Sequence, residues 1–433
     1  MDSTIAAMTS TENSSHSEDL HMKMLHDEQE AVENVGSILG LRHAVVERLK
    51  GRRMIVAGTL WVEMDSGETQ GFDTHLVLHN ISRGPGKGGI TFQPDVSVYS
   101  TWLKAMRMSW KTALLNLPFG GAKHGIIGNP LKLSPREQDK TMRAFAATFR
   151  EILKPDLDVP APDRGTNAWM MGRLTDALSK FHGIDSALQT VTGKPIAFRG
   201  CPGREEATGR GTVFIAREAA KDFNVPLQGA KVVVEGFGNV GSHAAQFFQK
   251  SGCKVIAISD IGGAITDPNG LDIPSLMEYA KKTGGVKNFP GSKPLERGEL
   301  LSMRCDILSP NALEGTINEK TAREVDTKLI VGAANAHTTI EGNKILAERN
   351  IPNIPDFMVG AGGVCVSHLE WQYNKGGRVP KIEEVNAELE YRMMTAYRDV
   401  YDFSKSEKLD LQTAANVISI KRVADAIMAR SSI

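Results

Sequence analysis

The sequence predicts an α/β protein of two domains, and three observations lead to this prediction. Its 433 residues exceed what a single hydrophobic core usually supports. Strand-like apolar segments alternate with helical segments along most of the chain. A second alternating region starts at KVVVEGFGNVGSHAAQFF, residues 231–248, where a strand, a glycine turn and a helix follow one another.

The elements of the first domain follow from local patterns. Asp65-Ser66-Gly67 is a turn former between two strand-like runs, and Ser134-Pro135 has the residue types of an N-cap and a first helical position. In chain order we expect a helix over 28–49, two strands around the turn, a loop over 81–95, a helix over 96–115, a helix from Ser134-Pro135, a short strand, and a helix over 167–181.

One stretch does not fit the alternation of strands and helices. LPFGGAKHGIIGNP, residues 117–130, places three glycines within six residues around Lys123. Each glycine inside a packed strand or helix costs about 0.5–1 kcal/mol relative to alanine. We therefore expect a sharp turn here, or another group lying close to the backbone.

The domain boundaries follow from changes in composition. A Gly/Arg-rich loop over 191–211 separates the two alternating regions, and the chain from Pro380 is mostly helical by pattern. These C-terminal helices are long enough to pack back on the first domain. The predicted division is a disordered polar tail over 1–25, a first domain over 26–195 completed by about 400–433, and a second domain over 196–399.

Composition excludes several classes of protein. Lys+Arg and Asp+Glu both number 51, so no net charge attracts nucleic acid or an anionic membrane. The four cysteines have no paired spacing, which predicts neither a metal site nor disulfides and favours a reducing compartment. No run of 18 apolar residues exists, and the first twenty residues contain no Lys or Arg. We expect a cytoplasmic protein.

The glycine turn of the second region predicts a dinucleotide site. Gly236, Gly238 and Gly241 satisfy G-x-G-x-x-G directly after an apolar strand, and the helix that follows offers its positive end to a pyrophosphate. Asp260 follows Gly241 by 19 residues, at the end of the next strand, where ribose hydroxyls are read. The acid favours NAD over NADP because it repels a 2′-phosphate. The alternative is a glycine turn that serves packing only.

Three lysines and one acid are candidates for chemistry. Lys87 in GPGKGG and Lys123 in GGAKHG are flanked by glycines, and Lys111 ends MSWK. Clustered ammonium groups can bind the carboxylates of a small dicarboxylate, and like charge with desolvation lowers the pKa of one lysine so that it can act as a base. Asp163, in PAPDRGT, follows a strand end, which is a suitable place for a proton-transferring carboxylate.

Structural explanations remain open for each of these residues. Lys111 shares a helix face with Lys104 and Arg107, which is typical of a solvated stripe. Lys87 could be a loop lysine in solvent, and Asp163 a helix cap.

A set of ordered motifs resembles the glutamate/leucine/phenylalanine/valine dehydrogenase family. The resemblance covers the chain from about residue 30 to its end and implies reversible oxidative deamination of an L-amino acid with NAD or NADP. The motifs are RGPGKGGITFQPDV, MSWKTALLNLPFGGAKHGI, VPAPDRGT, GREEATGRG, VEGFGNVGS, AANAHTT and GAGGVCVSHLEW.

The resemblance also implies roles for individual residues. Lys111 would hold the α-carboxylate, Lys123 would activate the water that adds to the imino intermediate, and Asp163 would move protons on and off the nitrogen. Lys87 and Ser367 match the residues that reach the γ-carboxylate in glutamate-specific members, which points to glutamate and 2-oxoglutarate. Hydride would pass to the nicotinamide across a cleft between two domains.

The same resemblance supplies the cofactor residues and the assembly. It implies that the first domain binds the substrate and forms the oligomer, and that the second is a Rossmann-type NAD(P)-binding domain. It also implies a homo-oligomer, since hexamers are usual among glutamate-specific relatives. Thr208 and Asn335 match positions that hold the nicotinamide and its ribose. The expected cofactor-binding set is Thr208, Gly236, Gly238, Asn239, Val240, Gly241, Asp260 and Asn335.

Four residues depart from the family pattern. His124 replaces a glycine and could either crowd the substrate or shift the pKa of Lys123. Gly360 replaces an asparagine near the substrate's amino group, and Arg164 could pair with Asp163 and change its proton affinity. His368 replaces an aromatic residue beside Ser367. These departures leave two alternatives: a dehydrogenase of a different L-amino acid, and a nucleotide-sensing regulatory protein that has lost turnover.

Overall fold

The chain divides into two compact units. The computed structural model describes residues 21–430. Unit 1 contains the residues up to Pro202, Ser367–Lys381 and the residues from Asn416, and unit 2 contains Gly203–Val366 and Ile382–Ala415. Each unit has its own sheet with flanking helices, which confirms the predicted two-domain α/β fold. Of the predicted polar tail, residues 1–20 lie outside the described residues.

Unit 1 is built on a five-stranded mixed sheet of order β1-β2-β4-β3-β5. β3 pairs in parallel with both β4 and β5, and β2 is antiparallel to β1 and β4. The strands are β1 (Met54–Glu63), β2 (Thr69–Asn80), β3 (Gly86–Gln93), β4 (Gly121–Ile127) and β5 (Asp158–Pro162). The helices are α1 (21–38), α2 (His43–Lys50), α3 (Val98–Leu114), α4 (Pro135–Phe149), α5 (Ala168–His182) and α6 (Ile184–Thr190).

The two faces of this sheet carry different side chains because successive strand residues point in opposite directions. Ala122 and Ile126 of β4 join a core cluster with residues of α4 and α5. Gly121 lies on the other face, where a Cβ would overlap the Ala105 carbonyl of α3. Helix α3 therefore covers one face, and α4 and α5 cover the other.

Of the local predictions for the two glycine-rich segments, the one for residues 81–95 is wrong, and for the GGAKHG stretch one of the two alternatives is confirmed. Residues 81–95 are not a loop throughout, because Gly86–Gln93 forms the buried strand β3, and the GGAKHG stretch forms strand β4 rather than a turn. The close approach inferred from its glycines is made by the protein itself. At Gly125 a Cβ would lie 2.5 Å from the His75 ring, and at Gly121 it would overlap α3.

Other local predictions are confirmed. Ser134 caps α4 in a reciprocal capping box with Glu137, and the turn after β1 leads into the antiparallel strand β2. The single helix predicted over 28–49 is instead two helices, because Gly40 takes a left-handed φ of 61° and turns the chain between α1 and α2.

Unit 2 is built on a six-stranded sheet of order β11-β10-β6-β7-β8-β9, whose first four strands are parallel. The strands are β6 (Lys231–Glu235), β7 (Lys254–Asp260), β8 (Gly263–Thr266), β9 (Lys293–Leu295), β10 (Ile307–Pro310) and β11 (Leu329–Ile330). The helices that begin in this unit are α7 (Ala207–Asp222), α8 (Asn239–Lys250), α9 (Ile273–Thr283), α10 (Thr321–Glu324), α11 (Ile340–Glu348), α12 (Asp356–Val359), α13 (Gly362–Lys375), α14 (Ile382–Glu407) and α15 (Leu411–Ala429).

The C-terminal helices attach to specific elements. In unit 2, Tyr397 of α14 donates its hydroxyl hydrogen bond to Asp222 of α7 at 2.8 Å. In unit 1, Arg422 of α15 donates to the Ala113 and Leu114 carbonyls at the end of α3. Within residues 21–430, none of the helices combines the length and hydropathy that a membrane-spanning segment needs.

Two buried histidines of β2 join the sheet to its neighbours. His75 Nε2 lies 2.7 Å from Thr101 Oγ1, and His79 lies 2.7 Å from Ser109 Oγ through Nδ1 and 2.9 Å from the Leu49 carbonyl through Nε2. Burial lowers the pKa of each imidazole from 6.5 to about 4, although a backbone acceptor opposes the shift. Both rings are therefore neutral in the folded protein at neutral pH.

This burial predicts acid sensitivity. Between pH 6.5 and 4 the unfolded chain binds more protons at these two positions, so the free energy of unfolding falls as the pH falls, by about 3 kcal/mol per histidine over the full interval. We expect His79→Gln to reduce the difference between thermal unfolding midpoints measured at pH 7 and pH 5. The exposed His43 is the control, since His43→Gln should leave that difference unchanged. An equal difference in His79→Gln and wild type would contradict the assignment.

Candidate active site

Lys123 and Asp163 form an ion pair in unit 1. Lys123 is on β4 and only 7% exposed, and Asp163 directly follows β5. Strand β3 lies between β4 and β5, so the pair crosses it. At Gly89 of β3 a Cβ would lie 2.6 Å from the Asp163 Cβ and 2.7 Å from its Oδ2. The pair therefore requires a residue without a side chain at position 89.

The Asp163 carboxylate is held by the backbone as well as by Lys123. Its Oδ1 accepts the Arg164 N–H at 2.7 Å, and the Asp163 N–H donates to Thr166 Oγ1, which donates to the Ile90 carbonyl of β3. Burial acts to raise the pKa of Asp163, but the Lys123 ammonium, the Arg164 N–H and the Lys104 charge outweigh it and lower the pKa from 3.8 to about 2. Asp163 is an anion at neutral pH.

The other two predicted lysines lie on elements adjacent to this pair. Lys87 is on β3, is 1% exposed, and donates from Nζ to the Val159 carbonyl at 2.9 Å, so it is not a solvent-exposed loop lysine. Lys111 is half-buried in the last turn of α3, next to Thr112, whose hydroxyl bonds the chain just before β4.

Lys104 is a cation that the sequence predicts only as part of a solvated stripe. It lies two turns before Lys111 on α3, and its charge helps to lower the pKa of Asp163. The third member of the stripe, Arg107, pairs with Glu28 of α1 at 2.9 Å. The spacing of seven residues between Lys104 and Lys111 is the signal that places both on one helix face.

Ser367 lies on the part of α13 that belongs to unit 1 and is 1% exposed. One turn further, Glu370 forms a fully buried ion pair with Lys194 at 2.7 Å and accepts the backbone N–H groups of Gly193 and Lys194. Burial lowers the pKa of the Lys194 ammonium more than Glu370 raises it. Glu370 thus anchors the helix that carries Ser367. Its signal in the sequence is that it is the single carboxylate of the segment that forms α13.

Three departures from the family pattern are explained by the structure. His124 does not face Lys123: it points to the opposite side of β4, is 0% exposed and lies against Phe145 of α4, so the expectation that it crowds the substrate is wrong. Arg164 contacts Asp163 through its backbone N–H, and its side chain is exposed. His368 packs edge-on against Phe119, with ring centroids 5.5 Å apart.

The glycine turn of unit 2 is suited to a dinucleotide. Gly236 takes a φ of 88°, and a Cβ on it would lie 2.7 Å from the Ala312 Cβ. At Gly241 a Cβ would overlap the Gly236 carbonyl, whereas at Gly238 it would enter open space at the start of α8. No side chain caps this helix, so its first N–H groups and its positive end suit a pyrophosphate.

The remaining predicted cofactor residues surround this turn or follow neighbouring strands. Thr208 is half-buried on α7, Val240 is half-buried in the first turn of α8, and Asn335 is exposed in a turn after β11. Asn239 donates from its side chain to the Glu205 carbonyl at 2.9 Å. The predicted roles of these four residues in cofactor binding remain proposals.

Asp260 ends β7, as predicted, but its carboxylate has local partners. Oδ1 accepts the N–H groups of Gly262 and Gly263 at 2.7 and 3.1 Å, and Oδ2 accepts that of Val286 at 2.7 Å. The acid therefore closes the turn into β8 and is fixed in orientation.

Two models of one protein family match the chain. Residues 200–431 match the family model described as Glutamate/Leucine/Phenylalanine/Valine dehydrogenase, and residues 53–180 match the dimerisation domain of Glu/Leu/Phe/Val dehydrogenases. Together the two matches cover most of the chain.

Relatives resemble the chain over nearly its whole length. It is 36% identical over 422 residues to the cryptic catabolic NAD-specific glutamate dehydrogenase GudB of Bacillus subtilis, covering 97% of this chain and 98% of the relative. It is 38% identical over 396 residues to glutamate dehydrogenase A2 of Halobacterium salinarum, covering 91% and 95%.

Solved structures agree. The hetero-hexameric glutamate dehydrogenase of Thermus thermophilus in its Leu-bound form has a TM-score of 0.91 at 30% identity, covering 95% of this chain and 98% of the other. The enzyme of Peptoniphilus asaccharolyticus has a TM-score of 0.84 at 33% identity, covering 95% and 100%.

The buried pair beneath Ser367 predicts a large stability effect. Glu370→Gln leaves the Lys194 ammonium buried without its counter-charge, which should destabilise the protein by about 3–5 kcal/mol. Thermal unfolding would show a clearly lower midpoint, and the double variant Lys194→Met/Glu370→Gln should recover most of the loss. Glu151→Gln, at a residue whose side chain is 73% exposed, is the control and should shift little. A midpoint for Glu370→Gln that matches this control would contradict the prediction.

Proposed function

Because the chain belongs to the glutamate/leucine/phenylalanine/valine dehydrogenase family, we propose that it is a glutamate dehydrogenase. As a member of this family it is an NAD(P)-dependent amino-acid dehydrogenase. The proposed reaction converts L-glutamate, water and NAD(P)⁺ reversibly into 2-oxoglutarate, ammonia, NAD(P)H and a proton. The observation that carries the proposal is the ion pair of Lys123 with Asp163, formed beside the buried Lys87.

Lys87 supports glutamate as the substrate. Its ammonium is buried on β3, the strand that the Lys123–Asp163 pair crosses. An ammonium in such a place attracts a distal carboxylate, and a substrate with an aliphatic side chain would lack that charge-assisted contact. Ser367, also buried, is the second proposed contact to the γ-carboxylate, and Lys111 the contact to the α-carboxylate.

Lys123 and Asp163 are the proposed catalytic residues. Asp163 is ionised at neutral pH, and its proposed role is to carry protons to and from the substrate nitrogen. Lys123, held beside it, would activate the water that adds to the imino carbon after oxidation. Lys123 is buried and Asp163 half-buried, so exclusion of competing water would depend on the bound substrate and cofactor. When bound, the nicotinamide cofactor supplies the hydride acceptor for the substrate Cα.

The glycine turn would hold the cofactor. Gly236, Gly238 and Gly241 would receive the pyrophosphate at the start of α8, and Thr208 and Asn335 the nicotinamide and its ribose. Asp260 supports NAD over NADP, because a fixed carboxylate at the end of β7 repels a 2′-phosphate.

We also propose a homohexamer located in the cytoplasm. A hetero-hexameric glutamate dehydrogenase is among the similar structures, which supports an assembly of six. The four cysteines are all buried and form no disulfide in the described part of the chain, which suits a reducing compartment.

A panel of 2-oxo acids tests the function. Oxidation of NADH and of NADPH is followed with ammonium and 2-oxoglutarate, 2-oxo-4-methylpentanoate, phenylpyruvate or pyruvate, and we expect 2-oxoglutarate with NADH to give the highest kcat/KM. Lys123→Ala should lower kcat about 10³-fold through loss of the activating group, while nucleotide binding persists. Preference for another 2-oxo acid would indicate a different amino-acid dehydrogenase. Nucleotide binding without turnover of any member would indicate the regulatory alternative.

Substrate selection by Lys87 is tested separately. Lys87→Leu should lower kcat/KM for 2-oxoglutarate about 10²–10³-fold, since losing a buried charge-assisted contact costs about 3–4 kcal/mol, and it should raise the relative activity with 2-oxo-4-methylpentanoate. Lys132→Leu, at an exposed lysine, is the matched control and should keep the wild-type preference. An unchanged preference in Lys87→Leu would place substrate selection elsewhere.

A further inference from the structure

A second buried side-chain pair joins β4 to β5 on the sheet face opposite Lys123. His124 Nε2 lies 2.6 Å from Asp158 Oδ2, and both side chains are 0% exposed. His124 is the neighbour of Lys123 on β4, and Asp158 is the first residue of β5, whose other end leads directly to Asp163. The two strands that carry the proposed catalytic residues are thus joined twice, once on each face.

Strand β3 lies between the two connections. Residue 89 contacts both: its carbonyl oxygen lies 3.3 Å from His124 Nδ1, and on the other face its missing side chain makes room for Asp163. At Gly86 a Cβ would lie 3.1 Å from Asp158 Oδ1. The glycines of β3 therefore allow side chains from β4 and β5 to meet over it on either face.

His124 and Asp158 depend on each other. Both ring nitrogens of His124 lie near oxygen atoms, Nδ1 at 3.3 Å from the Gly89 carbonyl and Nε2 at 2.6 Å from the Asp158 carboxylate. Within the described part of the chain, Asp158 Oδ1 has no hydrogen-bond partner. His124 is thus the group that compensates the buried carboxylate, and removal of either partner leaves the other without compensation.

We propose that His124 and Asp158 form a positioning pair that sets the separation of β4 and β5 and thereby the geometry of Lys123 against Asp163. The pair touches neither the proposed substrate residues nor the reacting atoms, because it lies among the core residues of α4. It acts through the two strands. This inference rests on the proposed roles of Lys123 and Asp163.

The first test measures Lys123 itself and needs no turnover. Full-length wild type and Asp158→Asn are acetylated with limiting acetic anhydride at pH 7 to 9, and the modification of each lysine is quantified by mass spectrometry. We expect the rate at Lys123, relative to the exposed Lys132, to rise several-fold in Asp158→Asn, since a loosened ion pair protects the amine less. An unchanged ratio would overturn the proposal.

The second test compares steady-state constants for the 2-oxo acid that wild type uses best. Asp158→Asn should lower kcat about 10-fold or more while KM values stay within about two-fold, because misplacement by about 1 Å costs rate rather than binding. His124→Gln, which keeps a side-chain N–H donor, should retain most of kcat. A kcat unchanged in Asp158→Asn would overturn the proposal.

Phe149→Leu controls for stability alone. Phe149 belongs to the same core cluster, and its truncation should lower the unfolding midpoint while leaving kcat and the labelling ratio of Lys123 unchanged. If Phe149→Leu and Asp158→Asn change kcat and the labelling ratio of Lys123 equally, the His124–Asp158 pair has a structural role only. If Asp158→Asn does not fold, Asp158→Glu displaces the charge by one methylene and should change both readouts in the same direction. Absence of turnover in wild type would contradict the proposed function, and the labelling ratio would still decide on the pair.

Discussion

The ion pair between Lys123 and Asp163 constrains the surrounding structure of unit 1, because its two members must meet across a strand. Its two members come from β4 and from the end of β5, which are separated by β3, so the intervening strand must pass beneath the pair without a side chain at Gly89. The loop that carries Asp163 is fixed to β3 through Thr166. A carboxylate and an ammonium are thereby held in contact where water is scarce, which strengthens their interaction.

Each buried charged side chain of unit 1 requires a partner that compensates it. In its described part, unit 1 contains two further buried pairs, His124 with Asp158 and Lys194 with Glu370. Each has one member on the same strand or helix as a proposed site residue. Such pairs contribute little net stability compared with apolar packing, but breaking one is costly. Their effect is to exclude alternative arrangements of the strands and of α13, which suits a site that depends on fixed distances.

Unit 2 meets a different constraint, because a nucleotide must approach the backbone. The three glycines of its turn serve three purposes: a left-handed conformation at Gly236, open space at Gly238 and close packing at Gly241. Asp260 has an observed local role and a proposed role in cofactor binding. Its three backbone hydrogen bonds orient the carboxylate at the end of β7, where a ribose would be read.

The sequence by itself determined the alternation of helices and strands, the hairpin of β1 and β2, the capped start of α4, and the glycine turn before α8, because each depends on residues close together in the chain. It also identified Lys87, Lys123 and Asp163 by residue type and motif. Only the tertiary structure decided that the glycine-rich segments are strands β3 and β4, that His124 faces the core, and that Lys104 and Glu370 support the site. Local propensity counts a glycine as a strand breaker, whereas the gain from packing α3 and Asp163 directly on the backbone comes from residues distant in sequence.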